Sequence, residues 1–290
     1  MVGNALWGGL TRRHARNKKG TYQLEEPLET REGSAISVVS KPALNPVLAE
    51  LRARIGQLEG GAARTQSVLP FAVPEMDRAL PGGGLAFGAL HEIAGGGGGT
   101  VDGAAAALFV AGIAARTRGK VLWCMTRPDL FFPAISQAGL HPDRVVWCES
   151  DKEEEVLSAM EAGLSFGGLS AVVGELVRLP MNASRRLQLA AEKSGSMGIV
   201  LRRWRRQSEA SDYGQPTASA TRWRISTLPS ERLPVAGVGR ARWLAELMRV
   251  KAGECAEFEI GAPDAKGRVC LLPVSGGRPD QAAHLRRLAG

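Results

Sequence analysis

Five consecutive glycines mark the segment whose residue types most resemble those of a nucleotide-binding loop. The candidate loop comprises Gly95, Gly96, Gly97, Gly98, Gly99 and Thr100. An apolar run from Leu90 precedes it and an alanine-rich stretch follows it to Arg116, which predicts a strand, a loop and a helix. In phosphate-binding loops of this order, backbone N–H groups converge on phosphates, a lysine reaches the terminal phosphates and a Ser or Thr hydroxyl holds magnesium. The glycines therefore predict the shape of a phosphate-binding loop.

The residues that follow the glycines do not supply the chemistry of such a loop. Val101 and Asp102 stand where the lysine and the hydroxyl residue are expected. An aspartate at a helix N-terminus would cap that helix, and it would repel a phosphate from the same positive end of the helix dipole. We therefore expect the loop to keep its shape without its chemistry. Weak nucleotide binding through backbone amides alone stays open.

A second candidate site combines arginine with tryptophan. It comprises Arg202, Arg203, Trp204, Arg205 and Arg206, and a small polar stretch over 207–221 follows it. Guanidinium groups can hold phosphates while an indole stacks on a base, and such binding to single-stranded DNA should be weak, salt-sensitive and indifferent to sequence. The equally weighted alternative is a solvated strand end with Trp204 packed inward.

Further along the chain, arginines alternate with large apolar residues. The alternation places Trp223 and Ile225 on one face of a predicted strand and Arg222 and Arg224 on the other. We expect the apolar face to join the core and the arginine face to contact acidic residues of a partner.

No spacing in the chain is typical of a metal site or a catalytic triad. The histidines are residues 14, 91, 141 and 284, and the cysteines are residues 124, 148, 255 and 270. We interpret His91 as a packing residue and the cysteines as buried thiols. The sequence predicts no metal, no cofactor and no catalytic residue, so we expect a protein that is not an enzyme.

Composition narrows the classes of partner. The chain has 290 residues with a formal net charge of +8 and a pI near 9.7, values that favour nucleic acid or an acidic protein surface as a partner. Arginine supplies most of this charge, and because arginine is also enriched in proteins from GC-rich genomes the signal is weak. No apolar run approaches the length of a membrane span, so we expect a cytoplasmic protein.

The elements that must position these residues divide the chain into four parts. Residues 1–43 show no periodicity and are predicted to be disordered. Residues 44–67 are predicted to form an amphipathic helix and a linker. Residues 68–260 alternate strand with helix, with helices predicted over 130–139 and 153–166 among them, which predicts a mainly parallel twisted sheet flanked by helices. Period two over 222–226 and 243–250 predicts antiparallel strands at one edge. Residues 261–290 are predicted to be a tail.

The order of the motifs resembles the core of RecA-type recombinases over 68–260, and it is most similar to the ImuA family of inducible-mutagenesis proteins. The segment from Met76 to Leu85, running into His91-Glu92-Ile93 and the glycines, carries the first resemblance. The second is carried by Pro81-Gly82-Gly83-Gly84-Leu85, Val121-Leu122-Trp123-Cys124, Leu140-His141-Pro142-Asp143-Arg144, Ser184-Arg185-Arg186-Leu187-Gln188-Leu189-Ala190, Leu201-Arg202-Arg203-Trp204-Arg205-Arg206 and Gly214-Gln215-Pro216-Thr217-Ala218.

The resemblance implies a RecA-like fold with a degenerate phosphate-binding loop. An active ATPase of this class needs a carboxylate at the end of the strand that reads Ala171-Val172-Val173-Gly174, and Glu175 stands one residue late. The family also implies a role in error-prone translesion synthesis, with RecA, ImuB and a DnaE-type polymerase as partners and single-stranded DNA as a further candidate. Docking on RecA is assigned to Leu48, Leu51, Ile55 and Phe71.

Two rival functions stay open. The first is a DNA-dependent ATPase with an unorthodox loop, which requires nucleotide binding that fails when Gly97 or Gly98 is replaced by a bulky residue. The second is a SulA-like inhibitor of cell division, which would act on FtsZ without a polymerase partner.

Overall fold

A nine-stranded sheet with helices on both faces forms the centre of the computed structural model, which describes residues 67–97, 99–204, 207–230, 233, 235 and 237–272. The strands are β1 (Val68–Leu69), β2 (Leu85–Ala86), β3 (Leu90–Gly95), β4 (Val121–Met125), β5 (Val145–Glu149), β6 (Ala171–Leu176), β7 (Met197–Arg202), β8 (Thr221–Leu228), β9 (Arg242–Val250), β10 (Ala256–Gly261) and β11 (Cys270–Leu271). The helices are α1 (Pro74–Arg78), α2 (Thr100–Arg116), α3 (Phe132–Gln137), α4 (Glu153–Phe166) and α5 (Met181–Ser194). Short 3₁₀ turns cover Pro81–Gly83, Pro142–Arg144 and Gln207–Asp212.

Most strands of the large sheet run parallel. The strand order is β11-β10-β9-β8-β3-β7-β6-β4-β5, while β1 and β2 form a separate pair. Strands β8, β3, β7, β6, β4 and β5 are parallel, and β9, β10 and β11 continue the sheet in antiparallel fashion. The prediction of a mainly parallel sheet flanked by helices is therefore confirmed. Residues 222–226, predicted as part of the antiparallel edge, lie in β8, which pairs antiparallel with β9 and parallel with β3. The parallel pairing was not predicted, because period two is the same in both orientations.

The larger core lies between the sheet and helices α1, α2 and α3. Trp223 of β8 packs against Phe71 and Phe109, with ring centroids 5.6 and 5.9 Å away. Trp223 of β8 is buried, as the alternation predicts, and Trp243 of β9 is buried as well. Phe71 is also buried, so the assignment of this residue to a docking surface is corrected: its ring fills the core.

The second core lies under α4 and α5 on the opposite face of the sheet. Val156, Met160 and Leu164 of α4 are buried against Val172 of β6, in agreement with the helical spacing of these residues. The first turn of α4 is tied to a neighbouring loop, because Glu153 Oε1 accepts a hydrogen bond of 2.8 Å from the N–H group of Val177.

The ends of the described region differ from the sequence-based boundaries. The sheet continues past Gly261 into β11, and Val269 beside it is buried, although these residues were assigned to a tail.

Helix α3 is shorter than the helix predicted over 130–139. Pro133 lies in its first turn, and Gly139 beyond it adopts a φ of +94°. No helix in the part of the chain that the structure describes is long and apolar enough to cross a membrane.

Candidate functional site

The glycine segment connects β3 to α2, as predicted. Gly96 N–H donates a hydrogen bond of 2.8 Å to the carbonyl oxygen of Ile225 in β8, so this amide is already engaged within the sheet. A Cβ atom on Gly96 would lie 2.2 Å from Ser226 Oγ, and one on Gly95 would lie 2.7 Å from the backbone of Asp102. These two glycines are therefore required for the close approach of β3, β8 and α2.

The later glycines of the segment are less crowded. A Cβ atom on Gly97 would meet no atom within 4 Å, and Gly99, which precedes the first residue of α2, has a φ of +61°. Thr100 in the first turn of the helix is exposed. Gly98 lies outside the described residues. Gly97 and Gly99 are thus not held by close packing.

Asp102 is turned into the protein at the start of α2. Its side chain is buried, with 3% relative exposure, whereas the preceding Val101 is 63% exposed. Asp102 Oδ1 accepts hydrogen bonds from Thr227 N–H at 2.8 Å and from Thr227 Oγ1 at 2.7 Å. We expected this carboxylate to cap its own helix; its Oδ1 atom instead ties the first turn of α2 to the end of β8.

Glu175 lies in β6 and is held by two donors. Its Oε1 atom accepts a hydrogen bond of 2.8 Å from Trp123 Nε1, and its Oε2 atom lies 2.7 Å from Arg203 Nη1. The same Arg203 nitrogen lies 2.7 Å from Asp129 Oδ1. Burial raises the pKa of Glu175, although Arg203 and Trp123 act against that shift. Burial acts to lower the pKa of Arg203, but Glu175 and Asp129 outweigh it, so this pKa is raised. The carboxylate is committed to an internal ion pair.

A buried charge cluster at Glu92 was not predicted from the sequence. Glu92 Oε1 lies 2.7 Å from Arg202 Nη1, and Glu92 Oε2 lies 2.9 Å from Arg222 Nε. Thr217 Oγ1 donates a further hydrogen bond of 3.0 Å to Oε2. Arg202 and Arg222 are both buried, which corrects their assignment as contact residues for DNA or a partner: their guanidinium groups neutralise Glu92. The sequence feature that could have revealed this cluster is Glu92 itself, a single glutamate in a predicted strand next to apolar residues.

Tyr213 closes this cluster and supports Trp204. Its hydroxyl group donates to the carbonyl oxygen of Trp223, and the guanidinium carbon of Arg222 lies 5.3 Å from the centre of its ring. Burial raises the pKa of Tyr213. Trp204 meets the tyrosine ring edge-on, with centroids 5.4 Å apart, and is half-buried. Trp204 is also approached by Arg202, whose guanidinium carbon lies 5.8 Å from the centre of its ring, so the indole is partly covered and partly exposed.

The remaining candidates fall into separate places. Arg224 pairs with Glu246 of the neighbouring strand, and this hydrogen bond is the main cause of its raised pKa. Arg203, in the Glu175 pair, is largely covered. Arg205 and Arg206 lie outside the described residues, as do the docking candidates Leu48, Leu51 and Ile55. The structure thus gathers Arg202, Trp204 and Arg222 around one centre and leaves Arg224 apart.

His91 and the cysteines form no metal site. His91 is buried, with Nε2 2.9 Å from Ala86 O and Nδ1 2.8 Å from Thr221 Oγ1. Its interpretation as a packing residue is confirmed. Cys255 and Cys270 are exposed, so the interpretation of the cysteines as buried thiols is wrong for these two. Among the described residues, no group of three or more His, Cys, Asp or Glu side chains could hold a metal ion.

Comparison with known proteins identifies the family. No family model matches the chain. Two relatives, each named Protein ImuA, come from Caulobacter vibrioides strain NA1000 / CB15N and from strain ATCC 19089 / CIP 103742 / CB 15. Each is 38% identical over 218 residues, which covers 72% of this chain and 88% of the relative. The resemblance to the ImuA family that the motifs indicated is confirmed, and the chain belongs to the ImuA family.

Proposed function

We propose that this protein is a non-catalytic RecA-like accessory factor of DNA-damage-induced, error-prone translesion synthesis. Membership in the ImuA family supports a role in inducible mutagenesis. The protein acts by binding other proteins, with RecA, ImuB and a DnaE-type polymerase as its partners. In this proposal the glycine segment is a degenerate phosphate-binding loop that serves the fold.

The buried position of Asp102 carries the non-catalytic part of the proposal. A working loop presents a lysine and a hydroxyl group to the phosphates and to magnesium. Here the residue at the hydroxyl position is a carboxylate bound to Thr227, and the residue at the lysine position is the exposed Val101. A carboxylate at the positive end of α2 disfavours a phosphate there.

Two further contacts support the same conclusion. Gly96 N–H is bonded to Ile225 O, so one amide that could face a phosphate is already used. Glu175 is the carboxylate nearest in sequence to the position that would hold the magnesium-bound water, and it is paired with Arg203 and Trp123. Phosphoryl transfer depends on charged groups that face the substrate, whereas the carboxylate of Glu175 and the guanidinium of Arg203 are paired with each other.

The partner assignment rests on the family resemblance and on the amphipathic helix predicted within residues 44–67. Phe71 is removed from the docking set because it is buried, which leaves Leu48, Leu51 and Ile55. The described surface adds the exposed face of Trp204 as a candidate contact for single-stranded DNA or for a partner.

Titration of a fluorescent ATP analogue with magnesium, read by fluorescence anisotropy, tests the proposal. We expect no saturable binding. Saturable binding that unlabelled ATP displaces would overturn the non-catalytic assignment and favour the ATPase alternative.

A variant with Val101→Lys and Asp102→Thr provides the matched comparison, because it restores the residue types of a working loop. Binding that appears only in this variant would support the loss of chemistry at these two positions. Circular dichroism must show that the variant is folded, since it lacks the Asp102–Thr227 hydrogen bonds.

A further inference from the structure

Two cysteines stand side by side on neighbouring strands. Cys124 of β4 and Cys148 of β5 are direct partners in the parallel register. Both pack in the core beneath α4, so they lie on the same face of the sheet. Both are thiols in this structure.

The spacing of the strands suits a covalent link between these thiols. Neighbouring strands lie about 4.8 Å apart, and disulfide-bonded cysteines have Cα atoms about 4.4–6.8 Å apart. A registered pair on adjacent strands falls within this range. A disulfide can therefore close with side-chain rotation and with little movement of the sheet.

The two sulfur atoms differ in access. Strand β5 is at the edge of the sheet and Cys148 is half-buried, whereas Cys124 is fully buried behind it. Burial raises the pKa of Cys124, so its thiol stays protonated. Cys148 is the sulfur that a dissolved oxidant reaches first, and Cys124 is placed to react with it afterwards.

We propose that Cys124 and Cys148 form a reversible disulfide that ties the edge strand β5 to β4, by exchange with a low-molecular-weight disulfide such as glutathione disulfide. The Cys148 thiolate attacks one sulfur of glutathione disulfide, forming a mixed disulfide and releasing one glutathione thiolate. The Cys124 sulfur then gives up its proton and attacks the Cys148 sulfur, which releases the second glutathione. Two protein thiols are oxidised, and one glutathione disulfide is reduced to two glutathione thiols.

The exposed cysteines provide an internal comparison. Cys255 and Cys270 are not strand partners: they lie in the turn before β10 and in β11. Each can accept glutathione, but neither has a registered thiol to displace it. Reaction with glutathione disulfide should therefore give different products at the two pairs of cysteines. Cys124 and Cys148 should form a disulfide, whereas Cys255 and Cys270 should each retain glutathione.

The test uses the folded full-length chain with Cys255→Ser and Cys270→Ser, so that only the registered pair remains. The protein is incubated with glutathione disulfide, quenched with acid, unfolded, alkylated and analysed by intact mass and peptide mapping. We expect loss of both remaining thiols, a peptide link between Cys124 and Cys148, no retained glutathione, and full recovery of both thiols with dithiothreitol.

Two variants in the same background separate the steps. With Cys124→Ala, glutathione should remain attached to Cys148, because no second thiol displaces it. With Cys148→Ala, Cys124 should stay unmodified while the protein is folded and should react once it is unfolded. Retained glutathione in the protein with both thiols, or unmodified thiols after reaction conditions that fully modify Cys255 and Cys270 in the unmutated chain, would overturn the proposal.

Discussion

Arg202 Nη1 lies 2.7 Å from Glu92 Oε1, and neither side chain has any exposed surface. Arg222 approaches the other oxygen of the same carboxylate. The middle of the sheet thus contains two arginines that share one glutamate. Ion pairs taken fully out of water are sensitive to the loss of one member, because the remaining charge is left buried.

Glu92→Ala is expected to lower the free energy of unfolding by about 3–5 kcal/mol, since it leaves Arg202 and Arg222 buried without their counter-charge. Urea denaturation followed by circular dichroism measures this loss. Glu161→Ala is the matched control: it removes the partner of Arg186, a pair in which Arg186 is exposed and Glu161 is partly exposed, and it should cost at most about 1 kcal/mol. Equal losses in the two variants would contradict the assigned importance of the buried cluster.

Gly96→Ala and Gly97→Ala should differ in their effect on stability, because Gly96 is closely packed and Gly97 is not. The added methyl group at Gly96 would lie 2.2 Å from Ser226 Oγ and 2.8 Å from Asp102 Oδ2, so we expect a loss of about 1–3 kcal/mol from overpacking. The methyl group at Gly97 would meet no atom within 4 Å. Thermal unfolding should show a lowered midpoint for the first variant and a midpoint close to that of the unmutated protein for the second. The reverse order would show that the packing of this loop is misassigned.

The stability of the protein should depend on pH through His91. Ala86 O can only accept, so His91 Nε2 donates to it, and in the neutral imidazole Nδ1 then accepts from Thr221 Oγ1. Burial lowers the pKa of His91 from 6.5 to about 4, although the hydrogen bond to Ala86 acts in the opposite direction. The unfolded chain therefore binds this proton at a higher pH than the folded protein does.

The neutral His91 side chain therefore makes its full contribution to stability above pH 6.5, and this contribution is lost as the pH falls from 6.5 through 4. The loss over this window is about 3 kcal/mol. Urea unfolding at a series of pH values should show this decline, and His91→Gln should flatten it. An equal decline in the variant would assign the pH dependence to other groups.

Docking on RecA should depend on the apolar positions of the amphipathic helix predicted within residues 44–67. Leu51→Asp combined with Ile55→Asp should abolish binding to purified RecA, because charges would replace the apolar face. The sequence pattern places Gln57 away from that face, so Gln57→Asp should bind like the unmutated protein. Surface plasmon resonance measures the binding, and undiminished binding by a folded Leu51/Ile55 variant would refute this docking surface.

Local patterns were sufficient to predict the parallel sheet and its flanking helices. The apolar residues of α4 recur at helical spacing, and its limits, Glu153 and Phe166, agree with the prediction. The direction of β8 was not predictable, because alternation in a strand does not depend on the direction of its neighbour. The boundary at Gly261 failed for a similar reason, since β11 is too short to show a period.

The contacts of the candidate site were harder to predict, because they join distant parts of the chain. Arg202 and Arg222 were assigned to the surface on their charge, but they are 110 and 130 residues from Glu92 in sequence, and only the strand order brings them to it. Asp102 is likewise 125 residues from Thr227. The residue types that predict a phosphate-binding loop were visible in the sequence; the partner of the aspartate was not.

The position of β11 determines at which edge of the large sheet Leu272 lies. Leu272 N–H still bonds to Glu259 O, so the backbone leaves the sheet beside β10, whereas β5 forms the opposite edge. Eight strand spacings of about 4.8 Å separate the two edges, a distance of about 38 Å before the twist of the sheet is considered. A label attached at Leu272 itself would thus lie at the edge of the sheet opposite β5, so its attachment need not block a partner there.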